Sequence, residues 1–211
     1  MIESYLRQSP LAHLALAAHG PDSGAPAGVR MMERPFPGLV NLRGPGDNAG
    51  FHDAFKAAAG YGLPAEAGAT AGSANTTALW LGPSEWLILD ARGGPESGPR
   101  IAESLRAALT GIPAAVTDIS ESRACIRISG AKARTVLQKG CPLDLHPKVF
   151  AQGQCAQSVL AKAAILLHMT ADDSSPDGPA IDVYVARSFA EYTWRWLEDA
   201  AREFGVARGE S

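Results

Sequence analysis

VTDISESRACIRISGAKARTVLQ, residues 116–138, decides the fold. Residues 124–128 read as a strand, because Ile126 and Ile128 alternate with Arg123, Cys125 and Arg127 and so share one face of a pleated ribbon. Gly130 then turns the chain, and residues 131–138 read as a helix that Gly140 stops. The same strand, turn and helix stand 86 residues earlier, counting from Gly130 back to Gly44. There residues 39–42 are the strand, Gly44-Pro45-Gly46 the turn and residues 51–59 the helix. The first pass continues with strands at 76–81 and 86–90 about a turn at Gly82-Pro83-Ser84, then a helix at 101–109. The second continues with strands at 155–160, 165–169 and 181–186, a polar loop at 171–179 and a helix at 189–204. The expectation is an α+β fold of duplicated β-α-β-β-α units, about 39–111 and 116–206, within one domain at 31–206. Its antiparallel sheets carry helices on one face and leave the other wet.

Residues 1–30 read as an arm outside that domain. Ser9 and Pro10 suit the N-cap and first position of a short helix through Leu11, Leu14, Ala15 and Ala18, ended by Gly20. The run Pro21 to Gly28 reads as a linker, and 207–211 as a tail. About ten residues of Ala-rich helix are marginal alone, so the arm must dock on its own domain or on another chain.

Composition narrows the function classes. The 211 residues are 46% hydrophobic and 19% charged, with 22 Gly and 15 Pro, a folded but loop-rich balance. A net charge of −3 offers no basic patch for a phosphate backbone, which speaks against nucleic acid. The longest apolar runs fall far short of the roughly 20 residues that span a bilayer, and no export pattern opens the chain. Cys125, Cys141 and Cys155, an odd and widely spaced set, form no disulfide framework. A reduced, cytoplasmic protein is expected, with neither membrane nor nucleic acid as partner.

Motifs that could carry chemistry are few. Gly44-Pro45-Gly46-Asp47-Asn48-Ala49 satisfies G-x-G-x-x-A between a strand and a helix, but the dinucleotide mechanism wants an acid closing a parallel second strand. Here the next strand ends in Leu81-Gly82 and turns at once into Trp86. Cys141, Asp144 and His146 include zinc-donor types, yet Pro142 and Pro147 make their loop a stiff corner rather than a chelating turn. No Ser lies in a nucleophile elbow, and Asp118 reads first as an Asx-turn partner. In the final helix, Ala190, Trp194, Leu197, Ala201 and Phe204 form one stripe and Phe189, Tyr192, Trp196 and Ala200 a second. Together they cover roughly 200°, about twice what a surface helix needs. The second stripe is therefore either buried in the chain or turned to a partner, with Trp194 assigned to core and Trp196 to docking.

The stretches PLAHL, LWLGPSEWLIL, AVTDISESRACIRISGAKARTVLQKGCPLDLHP, QCAQSVLAKAAILLH and VYVARSFAEYTWRWLEDAAREFG resemble, in order, the gamma subunits of heterotetrameric sarcosine oxidases. That family is similar in turn to the folate-binding aminomethyltransferases, the glycine-cleavage T protein among them. Asp118-Ile119-Ser120 and Gly130-Ala131-Lys132-Ala133 match two of their motifs. Where they carry an acidic pair in a later hairpin, this chain has Ala163-Ala164-Ile165-Leu166, so the expected general base is missing. The resemblance implies an aminomethyltransferase-like fold and a non-catalytic subunit with no catalytic or metal-binding residues. It leaves Asp118 and Glu121 as cofactor-site candidates if a folate-type pocket persists, and Leu11, Leu14, Phe189, Tyr192 and Trp196 as interface candidates. It also implies alpha, beta and delta subunits as partners, which hold FAD, FMN, NAD, zinc and tetrahydrofolate. The complex would demethylate sarcosine to glycine, formaldehyde or methylenetetrahydrofolate, and hydrogen peroxide. The alternatives are a stand-alone folate-binding transferase using Asp118 or Glu121, and a nucleotide-binding module at Gly44 and Gly46.

Overall fold

A computed structural model describes residues 8–14, 27–90, 93–94 and 96–209. It divides into two compact units, residues 36–121 and residues 1–35 with 122–211.

The unit of residues 36–121 holds a five-stranded sheet of β2 (Gly38–Arg43), β3 (Thr70–Gly72), β4 (Thr76–Gly82), β5 (Glu85–Asp90) and β6 (Ala115–Asp118), in the order β3-β4-β5-β2-β6; β1 belongs to the other unit. Helix α1 (Ala49–Ala59) starts where the Asn48 side chain accepts from Phe51 N at 2.9 Å and ends at Gly60, whose φ of 83° supplies a left-handed cap. Its Phe51 and Phe55, one turn apart, are fully buried. Helix α2 (Ser97–Ala108) begins four residues before the sequence suggests. Pro99 falls in its first turn, where a missing N–H costs no helical bond. Ile101, Ala102 and Leu105 bring α2 onto the same core as Phe51, Phe55, Val40, Leu42, Trp86 and Ile88.

The other unit holds a six-stranded sheet of β1 (Val29–Glu33), β7 (Arg123–Ser129), β8 (Cys155–Leu160), β9 (Ala163–Ala171), β10 (Ala180–Ala186) and β11 (Val206–Gly209), in the order β11-β1-β7-β10-β9-β8. Helices α3 (Ala133–Gln138) and α4 (Ala190–Ala201) cover one face of it. Val136, Leu137, Trp194 and Leu197 there meet Ile126, Ile128, Val183 and Leu167. The stripe of Ala190, Trp194, Leu197 and Ala201 is buried, as its 3.6-residue spacing requires.

Four differences from the sequence reading have physical causes. Strands β1, β3, β6 and β11 are three to five residues long, too short to show a period; pairing forms them. Residues 207–209 are therefore strand, parallel to β1, and not tail. The face opposite the helices is not wet, since Cys125, Cys155, Leu166, Asp182 and Tyr184 are all buried on it. Finally, the arm's described residues hold one 3-10 turn, Ala12–Leu14, with Leu11 N donating to Ser9 Oγ at 3.1 Å, and its last two, Val29 and Arg30, belong to β1. Ala15, Ala18, Gly20 and most of the expected linker lie outside the described residues, as do 210 and 211.

Candidate functional site

Asp118 closes β6, and its Oδ1 accepts from Ser120 N at 3.0 Å and from Ser120 Oγ at 2.6 Å. Ser120 Oγ in turn accepts from Leu39 N at 3.0 Å, tying the turn to β2. A methyl on Gly98 would lie 2.5 Å from Asp118 Oδ1 and 2.1 Å from Ser120 Oγ, so the turn sits directly on the first turn of α2. There a carboxylate complements the helix dipole, which α2 needs because Glu96 makes no side-chain cap. Asp118 is accounted for by that geometry. Glu121 lies exposed in the 3-10 turn Ser120–Ser122 that follows.

The β8–β9 hairpin turns at Ala161, which takes a φ of 51° while its N–H donates to Gly140 O at 2.9 Å. Beyond the turn, Ala163, Ile165 and Leu166 are buried. The stretch supplies packing and no proton-transfer group. The ionisable side chains lie further along the same sheet. His168 pairs in register with Asp182 on one side and Cys155 on the other. Asp182, 2% exposed, accepts from Arg127 Nε at 2.6 Å and Nη2 at 2.9 Å, with Arg34 Nη1 3.6 Å away. This bidentate pair compensates the burial of the carboxylate. Burial holds the His168 imidazole below its ordinary value against the pull of Asp182, and Arg127 and Arg34 push the same way as burial. Burial likewise pushes the Cys125 thiol and the Tyr184 phenol well up, which keeps both neutral. Sequence reasoning missed this cluster: Arg127 and Asp182 stand 55 positions apart, and only the β7–β10 register joins them. The available signal is a lone Asp in the apolar strand IDVYVA.

The remaining motifs resolve into structure. A methyl on Gly46 would lie 2.0 Å from Pro83 O, and one on Gly44 2.3 Å from the Phe51 ring. Close packing of this turn on Pro83 and Phe51 is therefore reason enough for both glycines. An open depression of about 660 Å³ nearby is lined by Gly44, Gly82, Pro83, Ser84 and the Arg43–Glu85 pair at 3.0 Å. In the KGCPLDLHP corner, Asp144 Oδ1 accepts from His146 N and His146 Nδ1 from Lys148 N. Buried Arg134 donates to Leu145 O at 2.7 Å and to Phe150 O at 2.9 Å, which fixes the loop from inside. Among the described residues, no three His, Cys, Asp or Glu side chains come together as a cation site.

The interface candidates separate by exposure. Leu11 is fully buried in the core of its own unit and cannot face a partner, and Leu14 packs half-buried against that core. Trp196 is also half-buried, with its ring so close to Gly140 that a methyl there would come within 2.5 Å. Phe189 and Tyr192 point outward, 42% and 37% exposed, with rings edge to face at 6.2 Å. Helical spacing alone does not separate Trp196 from these two. The contact of the Trp196 ring with Gly140 does.

Residues 43–203 match the SoxG family, described as the sarcosine oxidase gamma subunit family. The sarcosine oxidase subunit gamma of Corynebacterium sp. (strain U-96) is 38% identical over 209 residues, 98% of this chain and 96% of that one. The subunit of the same name from Arthrobacter sp. is 42% identical over 207 residues, 97% of this chain and 95% of that one. A chain in the structure of heterotetrameric sarcosine oxidase from Corynebacterium sp. U-96, in complex with pyrrole 2-carboxylate, superposes with a TM-score of 0.81 at 36% identity, covering 96% of this chain and 98% of that one. The glycine cleavage system aminomethyltransferase T from Bartonella henselae shares the fold, with a TM-score of 0.66 at 12% identity over 96% of this chain and 59% of its own. No helix of the described residues is long and apolar enough to cross a membrane. On a match that runs nearly end to end in sequence and in backbone, the chain belongs to the sarcosine oxidase gamma subunit family.

Proposed function

We propose that the chain is the non-catalytic gamma subunit of a heterotetrameric sarcosine oxidase, a scaffold for subunits that demethylate sarcosine oxidatively in the cytoplasm to glycine, formaldehyde or methylenetetrahydrofolate, and hydrogen peroxide. The observation that carries this reading is the near full-length match to a chain of such a complex, joined to a hairpin that offers Ala163, Ile165 and Leu166 where a transferase needs a carboxylate. FAD, FMN, NAD, zinc and tetrahydrofolate are then held by the alpha, beta and delta subunits. Nothing at Asp118 or Glu121 favours the stand-alone transferase, because Asp118 spends its hydrogen-bonding oxygen on its own turn.

The two units are, on this reading, degenerate copies. Removing β1 from the six-stranded sheet leaves β11-β7-β10-β9-β8, which corresponds strand for strand with β6-β2-β5-β4-β3. The helices fall in the same places, after β2 and β7 and after β5 and β10. Co-expression with the three other subunits, one of them tagged, tests the assignment: all four chains should elute together, and elution without this chain would contradict it.

A further inference from the structure

We propose that Arg106 guards an open sheet edge: its guanidinium holds the outer side of β6 closed, so that this chain does not pair strand to strand with a second copy of itself. β6 ends its sheet, hydrogen-bonded to β2 alone and without a bulge. Ile119 N donates to Leu39 O at 2.9 Å. In this antiparallel ladder Ala115, Thr117 and Ile119 therefore turn their main-chain groups to β2, and Val116 and Asp118 turn theirs away from it. Among the described residues no strand meets that outer side, and Ala115, Thr117 and Asp118 are exposed. β6 carries neither a proline nor a lysine, two residues that commonly blunt such an edge. The edge is met instead by Arg106 of α2, which donates to Val116 O from Nε at 3.2 Å and from Nη2 at 2.9 Å.

The edge is complementary to itself. Two β6 strands set antiparallel about Thr117 place Val116 opposite Asp118 of the other copy, and each such pair exchanges two hydrogen bonds, four in all. Thr117 then stands opposite Thr117 of the other copy, a favourable cross-strand pair, and no two like charges are opposed. Two of the four bonds run from an Asp118 N–H to a Val116 oxygen, the acceptor that Arg106 holds. The two-fold symmetry of such a pair doubles the guard, because each copy brings its own Arg106. A strand of four residues has few bonds to spare, so closing two of them decides whether the edges join. The guard is a property of the chain alone and does not depend on the scaffold reading.

The test follows self-association of the full chain by sedimentation equilibrium, with amide hydrogen exchange read at Val116 and Asp118. The wild type should sediment as a monomer with both amides exchanging freely. Arg106→Ala should self-associate at least about tenfold more tightly, the worth of two recovered hydrogen bonds, and protection at both amides should rise with concentration. Arg202→Ala removes the same charge from an exposed position elsewhere and should leave the chain monomeric. Arg106→Ala associating no more tightly than the wild type, association without added protection at Val116 and Asp118, equal association by Arg202→Ala, or a wild type already paired through β6 would each overturn the proposal.

Discussion

Replacing Asp182 by Ala removes the carboxylate at the centre of a buried charge cluster. Asp182 is 2% exposed and takes two hydrogen bonds from Arg127, while Arg34 stands 3.6 Å off. Without it, two guanidiniums face each other beside a buried neutral imidazole. Breaking a buried ion pair on one side costs about 3 to 5 kcal/mol. The Arg127 and Arg34 side chains remain 25% and 36% exposed, so water relieves part of the repulsion and sets the expectation near the lower end, about 3 kcal/mol. Urea unfolding of the full chain, followed by circular dichroism and by tryptophan fluorescence, should show the midpoint falling by about 1 to 2 M at unchanged slope. The companion Arg127→Ala change should then cost less in the Asp182→Ala background than alone, since the pair is already broken. A loss below about 1 kcal/mol, within the range of ordinary surface substitutions and exposed pairs, would refute the account of this cluster.

Three further outcomes follow from the same geometry. Burial keeps the His168 pKa in the folded chain below its ordinary 6.5, so the unfolded chain binds the extra proton first as pH falls; relative to His168→Leu, the wild type should lose stability below about pH 6.5 and match its neutral-pH difference above it, and a difference constant from pH 8 to pH 5 contradicts this. Gly98→Ala should destabilise by about 1 to 3 kcal/mol in thermal or urea unfolding although helix propensity alone favours Ala by about 1 kcal/mol, because the new methyl meets Asp118 and Ser120; adding Ser120→Gly should recover part of the loss, and a stabilised Gly98→Ala chain would show that the turn does not sit on α2 as described. Leu11→Ala should cost about 2 to 5 kcal/mol, and a neutral result would remove the segment 8–14 from the core.

Short apolar runs bounded by turn residues make β2, β4, β5, β7, β8 and β10 legible in the sequence, and the 3.6-residue spacing makes α1 and α4 so. Strand β1 is not legible: VRMME carries Met31 and Val29 inward on five residues, and its place between β11 and β7 depends on chain more than 90 positions away. The face opposite the helices is misread for a related reason. Cys125 and Arg127 alternate with Ile126 and Ile128, and polarity suggests water, whereas the buried Asp182 of a neighbouring strand pairs with Arg127 on that face. The aromatic stripe of the last helix is legible as surplus apolar surface, but the division between Trp196 and Tyr192 is set by Gly140 and not by helical angle.

On the proposed reading, this chain holds the oxidase together without performing its chemistry. Sarcosine-dependent oxygen uptake, measured on the purified full chain and on the same chain mixed with the other three subunits, tests it most directly. The chain alone should show no uptake and no flavin absorption, with turnover only in the mixture. Sarcosine turnover by the chain alone would contradict it.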